Sequence, residues 1–274
     1  MSLNYGRFGG HRSPKAQGIY LAERFREDHQ LASGPVERIE QLTELVDADL
    51  LVTELPEGVE ALTVQDPTTR NLIIGISTSE VPFRQNFSLA HEIGHVCAGD
   101  LDIMSRRNLC HDIDGEKRAD SFAAHVLCPL DSLEAQLEGR DPNSLEALSH
   151  LVQKYKVSPI VAVNQLRRAK LIAPEHTSEL RKWTAPKLAS RFGWRDEYDL
   201  EVARSSMARP APRLAADATQ AFLEGRVSAE AVALARGVST NRIHDELDDL
   251  IQPTANENAN ADPVAALEDF FGGD

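Results

Sequence analysis

The spacing of apolar residues along the chain predicts mainly helices. Residues 13–31 repeat apolar positions every three or four residues with Arg and Glu opposite, which is typical of an amphipathic helix. A break at Gly34–Pro35 precedes a second predicted helix at 36–47. Two runs rich in branched apolar residues follow, "LLVTEL" and "NLIIGIS". They predict two strands joined through the turn residues "QDPTTRN".

Two more helices are predicted directly after these strands. Residues 86–99 form the first, because their apolar positions repeat with helical spacing. The second is predicted in "GEKRADSFAAHVLCP", which begins at Gly115 and is ended by Pro129.

The remainder of the chain divides by composition. Two helices split at "KVSP" are predicted in 144–172, as the closing segment of a first domain, 1–172. Residues 173–210 have a Pro-rich end, "RPAPR", and are interpreted as a connecting segment. Residues 211–251 are interpreted as a helical C-terminal module. Residues 252–274 contain five acidic residues and no basic one, which predicts an acidic, partly disordered tail. The predicted fold class is α+β, mainly helical, with a small sheet and later helix–turn–helix-like segments.

Composition narrows the classes of partner. The formal net charge of −14 disfavours nucleic acid or an anionic membrane as the main binding surface. No apolar run reaches the ~18 residues of a membrane span, and the first residues lack the apolar core of a signal peptide. We therefore expect a cytoplasmic protein. Cys97, Cys110 and Cys128 are spaced irregularly, which favours reduced thiols over a disulfide framework.

The stretch "NFSLAHEIGHVCAGD" carries the candidate chemistry. His91 and His95 are four residues apart, so they share one face of a helix and can bind one zinc ion, with Glu92 beside them. The competing interpretation is a helix with a solvated polar face. The rest of this helix is apolar and therefore expected to be buried, where unpartnered polar groups cost several kcal/mol (~2–7). Gly94 costs about 1 kcal/mol relative to Ala in a helix, which suggests close packing.

A catalytic zinc needs a third protein ligand, and the next helix offers one. Glu116 is at its start, and Asp120 follows one turn later on the same face. Asp120 could accept a hydrogen bond from the far nitrogen of a ligand histidine. The alternative is an ordinary first helical turn, in which acids are favoured by the helix dipole. Asp114 and His111 remain the next candidates for the third ligand.

Two blocks in this order resemble the ImmA/IrrE family of metallo-endopeptidases. "NFSLAHEIGH" is similar to the family pattern R-F-(S/T)-L-A-H-E-(L/I)-G-H, and "EKRADSFAAHVLCP" to E-x-x-A-(N/D)-x-F-A-x-x-(L)-L-x-P. "YKVSPIVAVNQLRRAKLI" resembles the closing segment, so the likeness spans about residues 15–172. It implies a zincin-like domain with Zn²⁺ as cofactor, in which Glu92 is the general base and the metal ligands are His91, His95 and Glu116.

The chain also departs from the family pattern. Asn86 stands where the family often has arginine, and Gln165 replaces an arginine of the closing segment. These departures concern the substrate rather than the metal site. His111 and His125 are near candidates for stabilising an oxyanion, but each is also a plausible packing or surface histidine, and neither is assigned.

The resemblance implies a zinc endopeptidase that cleaves a helix–turn–helix repressor and so relieves repression, in a stress response or a mobile element. The alternative is a DNA- or protein-binding regulator that keeps the fold as a metal sensor or scaffold. The intact Glu92 and Glu116 favour the protease. Direct DNA binding is not expected, for two reasons. The second helix of 144–172 begins with the apolar "PIVAVNQL", and the pair of helices predicted in 211–251 is acidic. We expect a protein partner and no membrane, and the oligomeric state stays open.

Overall fold

The structure is a computed structural model of the chain, and it describes residues 8–65, 70–100 and 113–247. The described residues form two compact units, one within residues 1–212 and one within residues 213–274. Helices dominate, and one small sheet lies in the first unit, so the predicted mainly helical α+β class is confirmed. None of the described helices combines the length and apolarity that a membrane crossing needs.

The first unit builds its site from a short sheet and two long helices. The elements before and including these helices are α1 (Pro14–Asp28), α2 (Gln41–Leu45), β1 (Ala48–Thr53), β2 (Ala61–Gln65), β3 (Leu72–Ser77), α3 (Pro82–Ala98) and α4 (Ile113–Leu127). A 3-10 turn at Leu130–Ser132 then leads into α5 (Leu133–Gln136), α6 (Leu145–Tyr155), α7 (Pro159–Arg168), α8 (Pro174–Leu180), α9 (Ala185–Phe192) and α10 (Arg195–Ser205). The helix predicted at 36–47 is shorter than expected, since only α2 is helical there.

Local side-chain chemistry sets several helix ends. Ser13 begins α1 by accepting a hydrogen bond from Ala16 N at 3.1 Å. Ser144 and Ser158 do the same for α6 and α7. The helix α3 begins with Pro82, whose missing N–H is no loss at that position. It ends at Gly99, whose φ of 74° is in the left-handed region that glycine adopts without strain.

The sheet has the strand order β1-β3-β2. β1 pairs parallel with β3, and β2 pairs antiparallel with β3. The sequence interpretation missed β2, because its five residues are at most half-buried and form no continuous apolar run. The outer edge of β1 is covered by a backbone pair between Val52 and Arg209. The outer edge of β2 pairs with no strand among the described residues.

Both α1 and α3 pack against α4, and a glycine permits each close approach. A Cβ at Gly94 of α3 would lie 3.1 Å from Ala119 Cα in α4. A Cβ at Gly18 of α1 would lie 2.2 Å from Arg118 O, a contact that real side chains do not make. The close packing inferred from Gly94 is therefore present, and it brings α3 and α4 together at the level of the candidate ligands.

Residues 173–210 belong to the body of the first unit, in contrast to the connecting segment interpreted there. Leu180 of α8, Leu188 of α9 and Trp194, which directly precedes α10, lie in the main hydrophobic core. Ser205 at the end of α10 also receives a backbone hydrogen bond from Ser79 N at 3.0 Å. These helices are only 7–11 residues long, so each carries too few apolar positions for a clear periodic signal.

The described part of the second unit has its own small core. It contains α11 (Pro212–Leu223), α12 (Ala229–Arg236) and α13 (Thr240–Leu247). Phe222, Val232 and Ile243 form the centre of this core. The helical module predicted at 211–251 therefore contains three helices, and "RGVS" separates α12 from α13. The predicted acidic tail, 252–274, lies outside the described residues.

Candidate metal centre

Three predicted ligand side chains converge between α3 and α4. His91 Nε2 and His95 Nε2 are 3.1 Å apart. The Glu116 carboxylate lies 3.3 Å from the first of these nitrogens and 3.4 Å from the second. All three ligand atoms lie within 4.8 Å of one another. The i, i+4 spacing on α3 and the approach of α4 at Gly94 together produce this arrangement.

The separations suit a small tetrahedral cation. Ligands at the usual zinc distances of ~2.0–2.1 Å are ~3.3–3.4 Å apart in a tetrahedral site. The observed separations of 3.1, 3.3 and 3.4 Å are close to that value. Two imidazole nitrogens and a carboxylate oxygen also form a donor set typical of zinc. The residues present therefore fit a metal ion.

Each histidine directs its other ring nitrogen to a carboxylate. His91 Nδ1 lies 3.0 Å from Asp120 Oδ1, as the sequence predicted for Asp120. His95 Nδ1 lies 3.5 Å from Asp100 Oδ2 and makes no hydrogen bond with the described residues. A carboxylate can only accept, so a proton at Nδ1 leaves the Nε2 lone pair free for a metal ion.

The local charge favours a cation. Burial alone would lower the pKa of His91. The hydrogen bond with Asp120 and the charges of Asp120, Glu116 and Glu92 outweigh burial and raise this pKa above 6.5. The same carboxylates that stabilise a protonated His91 would stabilise a metal ion in its place.

Asp100 lies beside the candidate ligand His95, and the sequence interpretation missed it. It is buried, and its carboxylate accepts from Arg118 Nη2 at 3.1 and 3.2 Å. Arg118 is held in turn by Gln17 Oε1 at 3.0 Å. Asp100 is five positions after His95, and residues at that spacing do not share a helix face. The left-handed turn at Gly99 brings Asp100 back to the histidine, and nothing in the helical pattern predicts that.

Glu92 is also buried, and it has a partner that the sequence did not suggest. Its Oε2 accepts a hydrogen bond of 2.7 Å from Thr63 Oγ1 on β2. Oε1 makes no hydrogen bond with the described residues. The strand that was missed therefore contributes directly to the candidate site.

Other candidate residues lie away from the three ligands. Asp114 is exposed and lies 3.7 Å from Lys117 Nζ, while His111 is outside the described residues. His125 is buried near the far end of α4, where Nδ1 bonds to Ser121 O at 2.7 Å. Burial lowers the pKa of His125 to about 4, so it is a neutral packing residue.

Asn86 and Gln165, which depart from the family pattern, have structural roles. Asn86 Nδ2 donates to Lys156 O at 3.1 Å, at the end of α6. Gln165 is fully buried and donates to Ala124 O and Cys128 O, which closes the carboxyl end of α4. Neither residue is among those that surround the candidate ligands.

Comparison with known proteins agrees with this geometry. The family model described as Peptidase_M78, IrrE N-terminal-like domain, matches residues 47–167. No curated protein matches the chain. The matched segment contains His91, Glu92, His95 and Glu116, and a match to this family indicates a metallopeptidase-type function. Residues 47–167 of the chain therefore match an IrrE N-terminal-like domain of the Peptidase_M78 model, which confirms the resemblance to the ImmA/IrrE metallopeptidases.

Proposed function

We propose that the chain is a zinc-dependent endopeptidase and that its substrate is a helix–turn–helix transcriptional repressor. The observation that carries the proposal is the convergence of two imidazole nitrogens and one carboxylate beside a buried glutamate. Three protein ligands leave one coordination position open, which is the arrangement of catalytic rather than structural zinc.

The metal ligands and Glu92 have separate roles in the proposed reaction. His91, His95 and Glu116 would hold the zinc ion, which when bound would supply Lewis acidity to the scissile carbonyl and to water. Glu92 accepts a proton from the attacking water and delivers it to the leaving amine. Because Thr63 occupies Oε2, Oε1 is the oxygen available for this proton.

The open edge of β2 supports a peptide substrate. Ser77 N–H donates to Glu60 O at 2.8 Å, so residues 60, 62 and 64 make the ladder bonds with β3. Thr63 and the residues two positions away direct their backbone groups outward instead. An extended peptide can add to such an edge as a further strand. It would then lie next to Thr63, whose side chain contacts Glu92.

Two lysines at the carboxyl end of α6 are already paired with carboxylates, which favours a protein substrate over DNA. Lys154 pairs with Glu138 at 2.8 Å, and Lys156 with Glu201 at 2.6 Å. Cations that are already paired contribute little to binding phosphates. The repressor as substrate, and a role in a stress response or mobile element, rest on the family resemblance.

The proposal is tested by mapping new protein N-termini. The zinc-loaded protein and its Glu92→Gln variant would each be incubated with soluble proteins from the source cell. The new protein N-termini would then be labelled and identified in each of the two mixtures. We expect a discrete cleavage in a DNA-binding repressor, made by the wild type alone. Cleavage of an unrelated protein would refute the substrate, and equal cleavage by Glu92→Gln would refute the catalytic role. Zinc binding without any cleavage would favour the sensor or scaffold alternative.

A further inference from the structure

Glu92 is held by a side chain from a different part of the fold. Thr63 on β2 is 29 residues earlier in the sequence, and its hydroxyl is the single hydrogen-bond partner of the Glu92 carboxylate among the described residues. The O···O distance of 2.7 Å is in the range of ~2.5–2.7 Å for a hydroxyl that donates to a charged carboxylate.

A carboxylate in this position needs a restraint. The last torsion of a glutamate side chain is broad, so the carboxylate plane is poorly fixed by rotamer preference alone. Glu92 is next to His91 and one turn from His95, and it could rotate toward either ring. The bond from Thr63 fixes which oxygen faces β2 and which faces the substrate side.

We propose that Thr63 is a positioning residue for Glu92 and that it links peptide docking to orientation of the general base. This inference rests on the proposed peptidase function. Thr63 is in a non-hydrogen-bonded pair with Ile74, so its backbone N–H and C=O point off the sheet edge. Its side chain points to Glu92. One residue therefore presents its backbone to the docked peptide and its hydroxyl to the base.

The competing interpretation is that Thr63 only ties β2 to α3. Thr63→Val removes the hydroxyl and keeps the shape, whereas Thr63→Ser keeps the hydroxyl. Thr53→Val on β1 is the matched control, since it removes a strand hydroxyl that makes no hydrogen bond with the Glu92 carboxylate. The substrate would be a peptide that spans the cleavage site found by N-terminal mapping.

We expect Thr63→Val to lower kcat by about 10- to 100-fold, as small misplacements of catalytic groups do. KM should change less than about twofold, because backbone docking is retained. Zinc content should be unchanged. Thr63→Ser should retain most of the turnover, and Thr53→Val should match the wild type.

Several results would overturn the inference. Wild-type turnover in Thr63→Val, equal losses in the Val and Ser variants, or a change in KM alone would each contradict it. Absence of turnover in the wild type would refute the proposed function and this inference with it.

A measurement without turnover tests the contact itself. Thr63→Val should lower the urea midpoint clearly in the wild type and much less in a Glu92→Ala background. Equal shifts in both backgrounds would show that the hydroxyl and the carboxylate do not interact.

Discussion

The two carboxylates behind the histidines should differ sharply in their effect on stability. Asp100 is buried and pairs with the buried Arg118, whereas the Asp120 side chain is 61% exposed. Both lie next to the Nδ1 of a candidate ligand histidine. Replacing each by asparagine removes the charge and keeps the size. We therefore expect similar losses of zinc affinity and very different losses of folding free energy.

The magnitudes follow from burial. Breaking a buried ion pair by removing one partner costs ~3–5 kcal/mol. Arg118 keeps its bond to Gln17 and its position over the Phe8 ring, and an asparagine oxygen can still accept from it. We therefore expect Asp100→Asn to lose about 2–3 kcal/mol, below that range. Asp120→Asn should lose less than about 1 kcal/mol, as exposed pairs do. Each should weaken zinc binding by ~10- to 100-fold.

Urea unfolding of the metal-free protein measures the loss of folding free energy. Competition with a chromophoric zinc chelator measures the loss of zinc affinity. Arg118→Leu is the companion to Asp100→Asn, and the two stability losses should be strongly non-additive. If Asp100→Asn were as stable as the wild type, the buried pair would not matter for folding. If its zinc affinity were unchanged, Asp100 would have no role in orienting His95.

Three further predictions follow from burial and packing. Gly18→Ala should lower the free energy of unfolding by about 3 kcal/mol, because the added methyl group overpacks the contact with α4. Gly94→Ala should lower it by only about 1 kcal/mol, because the contacts there are looser and Ala favours the helix. Thermal unfolding measures both losses. His125 stays neutral when folded, so the unfolded state binds more protons below pH 6.5. The free energy of unfolding should therefore fall by up to about 3 kcal/mol as the pH drops from about 6.5 to 4, and by less in His125→Gln. Urea unfolding of both proteins at pH 7 and at pH 4.5 measures the difference. Cys97 and Cys128 should resist iodoacetamide until the protein unfolds, because burial raises the pKa of both thiols.

The part of the site that is local in sequence was predictable. His91 and His95 share a helix face by their spacing, and Glu116 opens the next helix in a recognisable block. The structure places all three together. Asp120 is one turn after Glu116, and its carboxylate lies beside His91 as that spacing predicts.

The parts that depend on chain reversal or strand pairing were not predictable. Asp100 reaches His95 only because Gly99 turns the chain back, and Thr63 reaches Glu92 only because β2 pairs with β3. A five-residue, half-exposed strand gives little periodic signal. The helices at 173–210 were missed for the same reason, since each is too short to show its apolar face alone.

The zinc content of the purified chain, by elemental analysis, tests the central claim most directly. Wild type should contain about one zinc per chain, as should Glu92→Gln, whose ligands are intact. Glu116→Ala should lose the metal after dialysis against a weak chelator. Asp114→Ala, two residues earlier on the same exposed turn, should retain it. Absence of zinc from the wild type, or equal retention in Glu116→Ala, would contradict a metal centre formed by His91, His95 and Glu116.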